Sequence, residues 1–482
     1  MERVKRRRAA AALLLAVAAP PPPVPSPSVA PMPRGEVVPR VVCAADPTTS
    51  YAVYLPKAYT PERKWPVVYV FDSRGIPMDR EMIELFRAGA ERYGWVVASA
   101  NESTTLGAMD ANIQRMRSMW VDTHAHLALD DRRVYGYGFS GLSRTVVTLA
   151  LAAPGTFHGV IGAQGGFPGA RPPAAKEQAL PFFGTVGDRD FNYYEMLELD
   201  TRLEELGVPH RIEVFDGSHE WPPEELVTLG MGWLELLAMR DGRRAPDAAL
   251  VEPLWSADLA KAREHAAAGR LWAAWRAYKA LAADYRGLRD TADPERKAAE
   301  LGRSEALQRD LRERVRRDQR DREALVRAPA AFEAAGLEPR PGGVQKLLAD
   351  LDVPQLQTRK AASDAEERKS AERVLYAHYM QAGIYLPRAA IAAGQWDRAI
   401  LFLQTAAAIN PESPRIPYRL ATAWAGKGNR DQAFAALAKA IAMNGTTPAE
   451  LESDPALATL RQDERFGALL AELRRMPPAE PR

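Results

Sequence analysis

The chain has 482 residues, enough for two or three domains at the usual ~100–200 residues each. It is 46% hydrophobic and 26% charged, with 64 basic against 62 acidic residues and a formal charge of +2. That excludes a disordered, collagen-like or polytopic membrane chain and leaves no basic excess to recruit nucleic acid, while the single cysteine, Cys43, excludes an intrachain disulfide and a cysteine-built zinc site.

The first eighteen residues carry a basic start (Arg3, Lys5 to Arg8), and an apolar run extends from Ala9 to Ala19. A basic start, a short apolar run and the small residues Ala16-Val17-Ala18 predict a signal peptide, residues 1–18, with cleavage after Ala18. The run is too short to span a bilayer, so an exported, periplasmic or secreted protein with no stable membrane anchor is expected. Residues 19–34 are proline-rich and predict an extended linker. Five basic residues and one acidic residue lie before Ala19, so their removal turns the formal charge from +2 to −2. Cys43 is expected as a small hydrophobe in a first strand.

Residues 35–240 alternate short β-branched or aromatic runs with helical periods. Val37–Ala44 and Tyr51–Leu55 predict a hairpin. Further strands are predicted at Pro66–Phe71, Trp95–Ala100, Arg133–Phe139, Gly159–Ala163, Pro181–Thr185 and Arg211–Phe215. Helices are predicted at Glu81–Tyr93, Ala111–Leu129, Ser143–Ala153 and Tyr194–Leu206. Nearly continuous apolar strands alternating with helices predict an α/β fold, with a mostly parallel sheet covered on both faces.

The densest local signal is Tyr135-Gly136-Tyr137-Gly138-Phe139-Ser140-Gly141-Leu142-Ser143. It approximates Gly-x-Ser-x-Gly, with Leu142 in place of the last glycine. Small residues suit a tight strand-to-helix turn that lifts a serine hydroxyl above a sheet. A serine nucleophile needs a base and an orienting acid. Downstream, a strand runs into the acidic loop Gly187-Asp188-Arg189-Asp190-Phe191-Asn192-Tyr193. A later strand ends in Gly217-Ser218-His219-Glu220-Trp221. His219 is one of only 7 histidines in the chain and follows a strand directly. His124 and His126 are two apart on a predicted helix and point to different sides. No metal site, phosphate-binding loop or cofactor is expected.

With these motifs in place, the segment from about Tyr51 to Met239 resembles the serine-dependent α/β-hydrolases, most closely the feruloyl-esterase and polyhydroxybutyrate-depolymerase type. The resemblance rests on Tyr-Leu-Pro-Lys-Ala-Tyr after the hairpin, Gly-Phe-Ser-Gly, Asp-Phe-Asn-Tyr and Gly-Ser-His-Glu-Trp. It implies Ser140 as nucleophile and His219 as general base, then acid. Asp190 is the preferred triad acid, and Asp188 two residues earlier is the rival. The implied oxyanion donors are the backbone N–H groups of Gly141 and of Ser73, with Arg74 as the alternative to Ser73. Asn101, after the next strand, is expected either to line the site or to cap a loop.

After about Asp241 strand signals cease. Residues 248–375 predict a helical region whose Asp293–Val326 stretch is a charged, solvated helix. Gly269 to Trp275 is a degenerate repeat candidate. In residues 376–482 a 34-residue period is visible. Gly394 answers Gly428, Ala399 answers Ala433, Leu403 answers Leu437 and Ala406 answers Ala440. This resembles the tetratricopeptide repeat, in which small residues sit where two helices cross. Pro387 departs from the pattern and predicts a short or kinked helix. Leu457–Leu473 is expected to be a final capping helix pair.

The expected whole is an exported serine hydrolase cleaving a small-molecule or polymeric ester, joined to repeats that bind a protein or peptide partner or shape the site. A serine peptidase of the prolyl-oligopeptidase type and a non-catalytic repeat scaffold are the rival expectations.

Overall fold

Strands that are apolar at nearly every position must be covered on both faces, and the sheet of this protein is. The structure, a computed structural model, describes residues 32–71, 79–103, 109–337 and 339–476. The expected signal peptide, the expected linker apart from its last three residues, and Ser73 and Arg74 therefore lie outside the described residues. In chain order the α/β portion is β1 (Val37–Cys43), β2 (Asp46–Tyr54), β3 (Trp65–Phe71), α1 (Asp79–Tyr93), β4 (Val96–Ala100) and α2 (Met109–His126). It continues with β5 (Leu129–Phe139), α3 (Gly141–Ala152), β6 (Val160–Ala163), β7 (Phe182–Gly187), α4 (Tyr193–Glu205), β8 (His210–Phe215) and α5 (Glu224–Arg240). The eight strands form one sheet in the order β1-β2-β4-β3-β5-β6-β7-β8. The pairs β1–β2 and β2–β4 are antiparallel and the remaining five are parallel.

Side chains alternate across the strands, so each face has its own composition. On one face Ala52, Tyr54, Val68, Val70, Tyr135, Tyr137, Ile161 and Phe183 pack against Phe86 of α1 and against Val227, Met231 and Trp233 of α5. The other face is nearly bare in its centre, where Gly136, Gly138, Gly162 and Gly184 stand. A Cβ on Gly136 would lie 2.4 Å from Val146 of α3, and one on Gly162 would lie 2.5 Å from the Ser143 hydroxyl. Absence of side chains here lets α3 approach the strands closely, which is what sets the height of the turn leading into it.

β5 begins at Leu129 rather than Arg133, and α2 stops at His126. The charged run Asp130-Asp131-Arg132-Arg133 hid the first turn of the strand, because it carries no apolar alternation. His124 stacks on Trp120 at 4.1 Å and faces Asp131 at 3.1 Å. Cys43 ends β1, fully buried.

The first compact unit continues past the sheet to Arg314. Helices α6 (Ala248–Ala267), α7 (Leu271–Asp284) and α8 (Ala292–Arg303) belong to it, as does the start of α9 (Glu305–Leu337). Val251, Leu254, Trp255, Tyr278 and Leu281 pack with Leu236 and Met239 of α5. A buried ionic node ties these helices to the edge strand. Arg211 of β8 donates to both oxygens of Asp258, at 2.8 and 3.0 Å, and to Glu213 at 2.7 Å. Asp284 lies 3.4 Å from the same guanidinium and accepts from Trp233 Nε1 at 2.8 Å. Such a node is costly to break, because removing one partner leaves a buried charge unpaired.

The second unit runs from Val315. After α9 it contains α10 (Gly343–Asp350), α11 (Val353–Lys360), α12 (Ala365–Met380), α13 (Leu386–Ala392), α14 (Trp396–Ile409), α15 (Arg415–Gly426), α16 (Arg430–Ala442), α17 (Pro448–Ser453) and α18 (Glu464–Arg475). Ala399, Leu403 and Ala406 of α14 are fully buried, as are their 34-residue equivalents Ala433, Leu437 and Ala440 of α16. Gly394 and Gly428 turn the chain at the matching points with φ of +68° and +83°, in the left-handed region.

Pro387 stands in the first turn of a short helix, the seven-residue α13. Between α12 and α13 the backbone makes a π-turn at Gln381–Tyr385, and the helix continues. Proline has no N–H to offer the carbonyl four residues back, that of Gly383. Arg419 Nη1 donates to that carbonyl instead, at 2.6 Å. The expected capping pair over Leu457–Leu473 is one helix, α18. Its partner lies earlier, at α17, which Thr447 and Glu450 start with a reciprocal capping box. Asp454-Pro455 then ends it, since a residue before proline is pushed out of the helical region.

Candidate active site

β5 delivers Ser140 to the point where strand becomes helix. Ser140 has φ +57° and ψ −123°, a strained conformation for a residue with a side chain. Its surroundings hold it there. A Cβ on Gly138 would lie 2.4 Å from the Leu142 carbonyl oxygen, and one on Gly165 would lie 2.5 Å from the Ser140 carbonyl oxygen. Both neighbours are backbone and have nowhere to retreat. The Ser140 N–H donates to Ala163 O at 2.7 Å, and Ser143 Oγ donates to Gly165 O at 2.6 Å. Leu142, which replaces the last glycine of the motif, lies in the first turn of α3 and is fully buried.

The neighbouring parallel strands bring two further loops to the same edge. Asp190 follows β7 and His219 follows β8. His219 Nε2 lies 2.9 Å from Ser140 Oγ, and its Nδ1 lies 2.7 Å from Asp190 Oδ2. The other oxygen of Asp190 accepts from Asn192 N at 2.6 Å. Asp190 is fully buried. Burial pushes its pKa up, while the hydrogen bond and charge of His219 and the Asn192 N–H pull it back. An ionised Asp190 can only accept, so it requires the proton on Nδ1 and leaves Nε2 free to accept from the serine hydroxyl. Phe191 and Phe139 flank the imidazole, with ring centroids 4.4 and 5.2 Å away.

Asp188 is placed differently. It accepts from Gly217 N at 3.3 Å and faces the Arg189 guanidinium at 3.4 Å. Gly141 opens α3, so its N–H is among the first four of the helix, which have no intrahelical acceptor. Ser73 and Arg74 cannot be placed, lying outside the described residues. Asn101 ties the end of β4 to the first hairpin, its side chain donating to Pro39 O and Ser50 Oγ, both at 3.2 Å. No group of side chains among the described residues is arranged to hold a metal ion. None of the described helices is long and apolar enough to cross a membrane.

Gln164 is a residue at the site that belongs to no motif. Asn192 Nδ2 donates to Gln164 O at 2.7 Å, and the buried Gln164 side chain bonds both loops. The only hint in the sequence is a polar residue directly after an apolar strand, in Ile161-Gly162-Ala163-Gln164.

Residues 390–463 match the tetratricopeptide repeat family model. None of the curated proteins compared matches the chain. Among solved structures, a ferulic acid esterase aligns at 16% identity over 41% of this chain and 96% of its own, with a TM-score of 0.34. The feruloyl esterase module from Clostridium thermocellum, complexed with sinapinate, aligns at 15% identity over 42% of this chain and 89% of its own, TM-score 0.33. The S-formylglutathione hydrolase FrmB from Staphylococcus aureus aligns at 14% identity over 42% and 99%, TM-score 0.32. The chain thus joins a mostly parallel α/β domain, whose structural neighbours are esterases and serine hydrolases, to a helical region with tetratricopeptide repeats at residues 390–463.

Proposed function

We propose that this protein is a serine hydrolase that cleaves carboxylic ester bonds through an acyl-enzyme. The observation that carries the reading is the unbroken relay from Ser140 Oγ to His219 Nε2 at 2.9 Å and from His219 Nδ1 to Asp190 at 2.7 Å, on a strained turn. In the first half-reaction Ser140 Oγ bonds to the ester carbonyl carbon and its proton passes to His219 Nε2. The imidazolium then gives that proton to the departing alcohol as the C–O bond breaks. In the second half, water attacks the acyl-serine, His219 takes the water proton, and Ser140 recovers it as the acid leaves. Asp190 stays ionised throughout and stabilises the imidazolium. The Gly141 N–H is proposed as one donor to the oxyanion, and the Ser73 or Arg74 N–H as the other. The repeats are proposed to bind a protein or peptide segment, and the amino-terminal segment to direct export.

The test is turnover of short-chain p-nitrophenyl esters together with labelling by a fluorophosphonate. The parent protein is expected to do both and Ser140→Ala neither. Undiminished turnover by Ser140→Ala removes the assignment, and preference for aminoacyl amides over esters would move it to a peptidase.

A further inference from the structure

Residues 163–165 form the floor between the three loops of the site, and their middle member is Gln164. It is fully buried and holds φ +56°, in the left-handed region that side-chain-bearing residues avoid. Its backbone continues the sheet, with N–H donating to Thr185 O at 2.8 Å. Both its hydrogens and its carbonyl oxygen are engaged. One of the two Nε2 hydrogens goes to Ser218 O at 3.0 Å and the other to Glu220 O at 2.8 Å, the carbonyls on either side of His219. Oε1 accepts from Gly187 N at 3.0 Å, at the root of the Asp190 loop. The flanking residues bind the serine turn through Ala163 O and Gly165 O.

We infer that Gln164 is a positioning residue that straddles His219 and sets its imidazole between Ser140 and Asp190. The inference rests on the serine-hydrolase reading above. Its physical content is geometric. Two carbonyls two residues apart in sequence are both pinned by one rigid amide, so the backbone between them has little freedom to rotate or recede. The same amide registers that loop against the acid loop. A proton relay tolerates little misplacement, and an error near 1 Å costs about a hundredfold in rate. A side chain that only filled space would not need both hydrogens committed to backbone oxygens, nor a strained backbone to aim them.

The experiment compares the full-length parent with Gln164→Met, which keeps the length and volume but makes none of the three bonds, and Gln164→Glu, which keeps the shape but loses both donors. Ester hydrolysis is expressed per Ser140 titrated to completion with fluorophosphonate, and thermal melting reports folding. The expected result is a fall in kcat of about 10²-fold in Gln164→Met with KM unchanged and folded protein retained. If that variant does not fold, Gln164→Glu decides by the same split. An unchanged kcat per titrated site in a folded variant overturns the inference. So does failure of both variants to fold, which would make Gln164 a stability residue. A parent that neither hydrolyses esters nor labels would instead defeat the serine-hydrolase reading, and this inference would fall with it.

Discussion

Asp190 meets the imidazole of His219 at 2.7 Å from a position with no access to solvent. Burying a carboxylate is unfavourable unless its oxygens are satisfied, and here each has a donor: His219 Nδ1 on one side and Asn192 N on the other. Asp188, two residues earlier, has its carboxylate turned to Gly217 N and Arg189. The two acids of one loop therefore serve different ends.

Exchange of Asp190 to Asn is expected to lower kcat on a nitrophenyl ester by about 10⁴-fold, because the imidazole loses both its tautomer control and the charge that stabilises its protonated form. Asp188→Asn is expected to leave kcat near the parental value. Steady-state kinetics of the two variants side by side provide the check, and equal losses would place the orienting role elsewhere.

Gly138→Ala is expected to destabilise the α/β unit by about 3 kcal/mol and to abolish ester hydrolysis. The new Cβ would lie 2.4 Å from Leu142 O and 2.5 Å from Ser143 N, both backbone atoms of the turn that carries Ser140. Denaturant unfolding of the variant gives the stability change. A shift of the midpoint within error would show that the turn has slack.

The node around Arg211 makes stability depend on pH in two windows. Burial pushes Asp284 up to about 6, with Arg211 opposing. Between about pH 4 and 6 the folded chain then holds a proton that the unfolded chain has released, so this contribution to stability falls as pH rises through that window. Asp284→Asn keeps an acceptor for Trp233 and removes the titration. Its stability relative to the parent is expected to improve from pH 4 to pH 7, by no more than about 3 kcal/mol. For Glu213 burial alone would act upward, but Arg211 and Lys261 hold it down to about 2. Its contribution is present above about pH 4.5 and is lost as pH falls toward 2. Denaturant titrations across pH 2–7 would separate the two. A relative loss of stability by Asp284→Asn on raising pH would count against the dominance of burial.

A fragment beginning at Gln381 is expected not to melt cooperatively. The first repeat buries Leu401, Phe402 and Leu403 against Ala328, Phe332, Leu347, Leu351 and Leu375, all of which the fragment lacks. A repeat array shorter than about three units cannot cover its own hydrophobic face. Calorimetry of residues 381–482 against 315–482 tests this, and a sharp transition in the shorter piece would contradict it.

Local signals were the legible ones. Arg133–Phe139 was legible as a strand running into a small-residue turn, and the structure has β5 lead there into α3. Gly394 and Gly428 are legible as turns because only a residue without Cβ takes positive φ freely. The charged start of β5 was not legible, since period and composition there favour neither strand nor helix. Nor was the π-turn before Pro387, where Arg419, a residue more than thirty positions away, donates to the carbonyl of Gly383.

By itself the amino-acid sequence determined the strand–helix alternation, the small-residue turn around Ser140 and the 34-residue period, because each arises from residues adjacent in the chain. Only the tertiary structure decided which of Asp188 and Asp190 lies against His219, and that Gln164 lies beneath them. Two carboxylates in one loop differ by the direction in which the strand end releases them. A buried glutamine acquires its partners from strands that are neighbours in the sheet and distant in the chain.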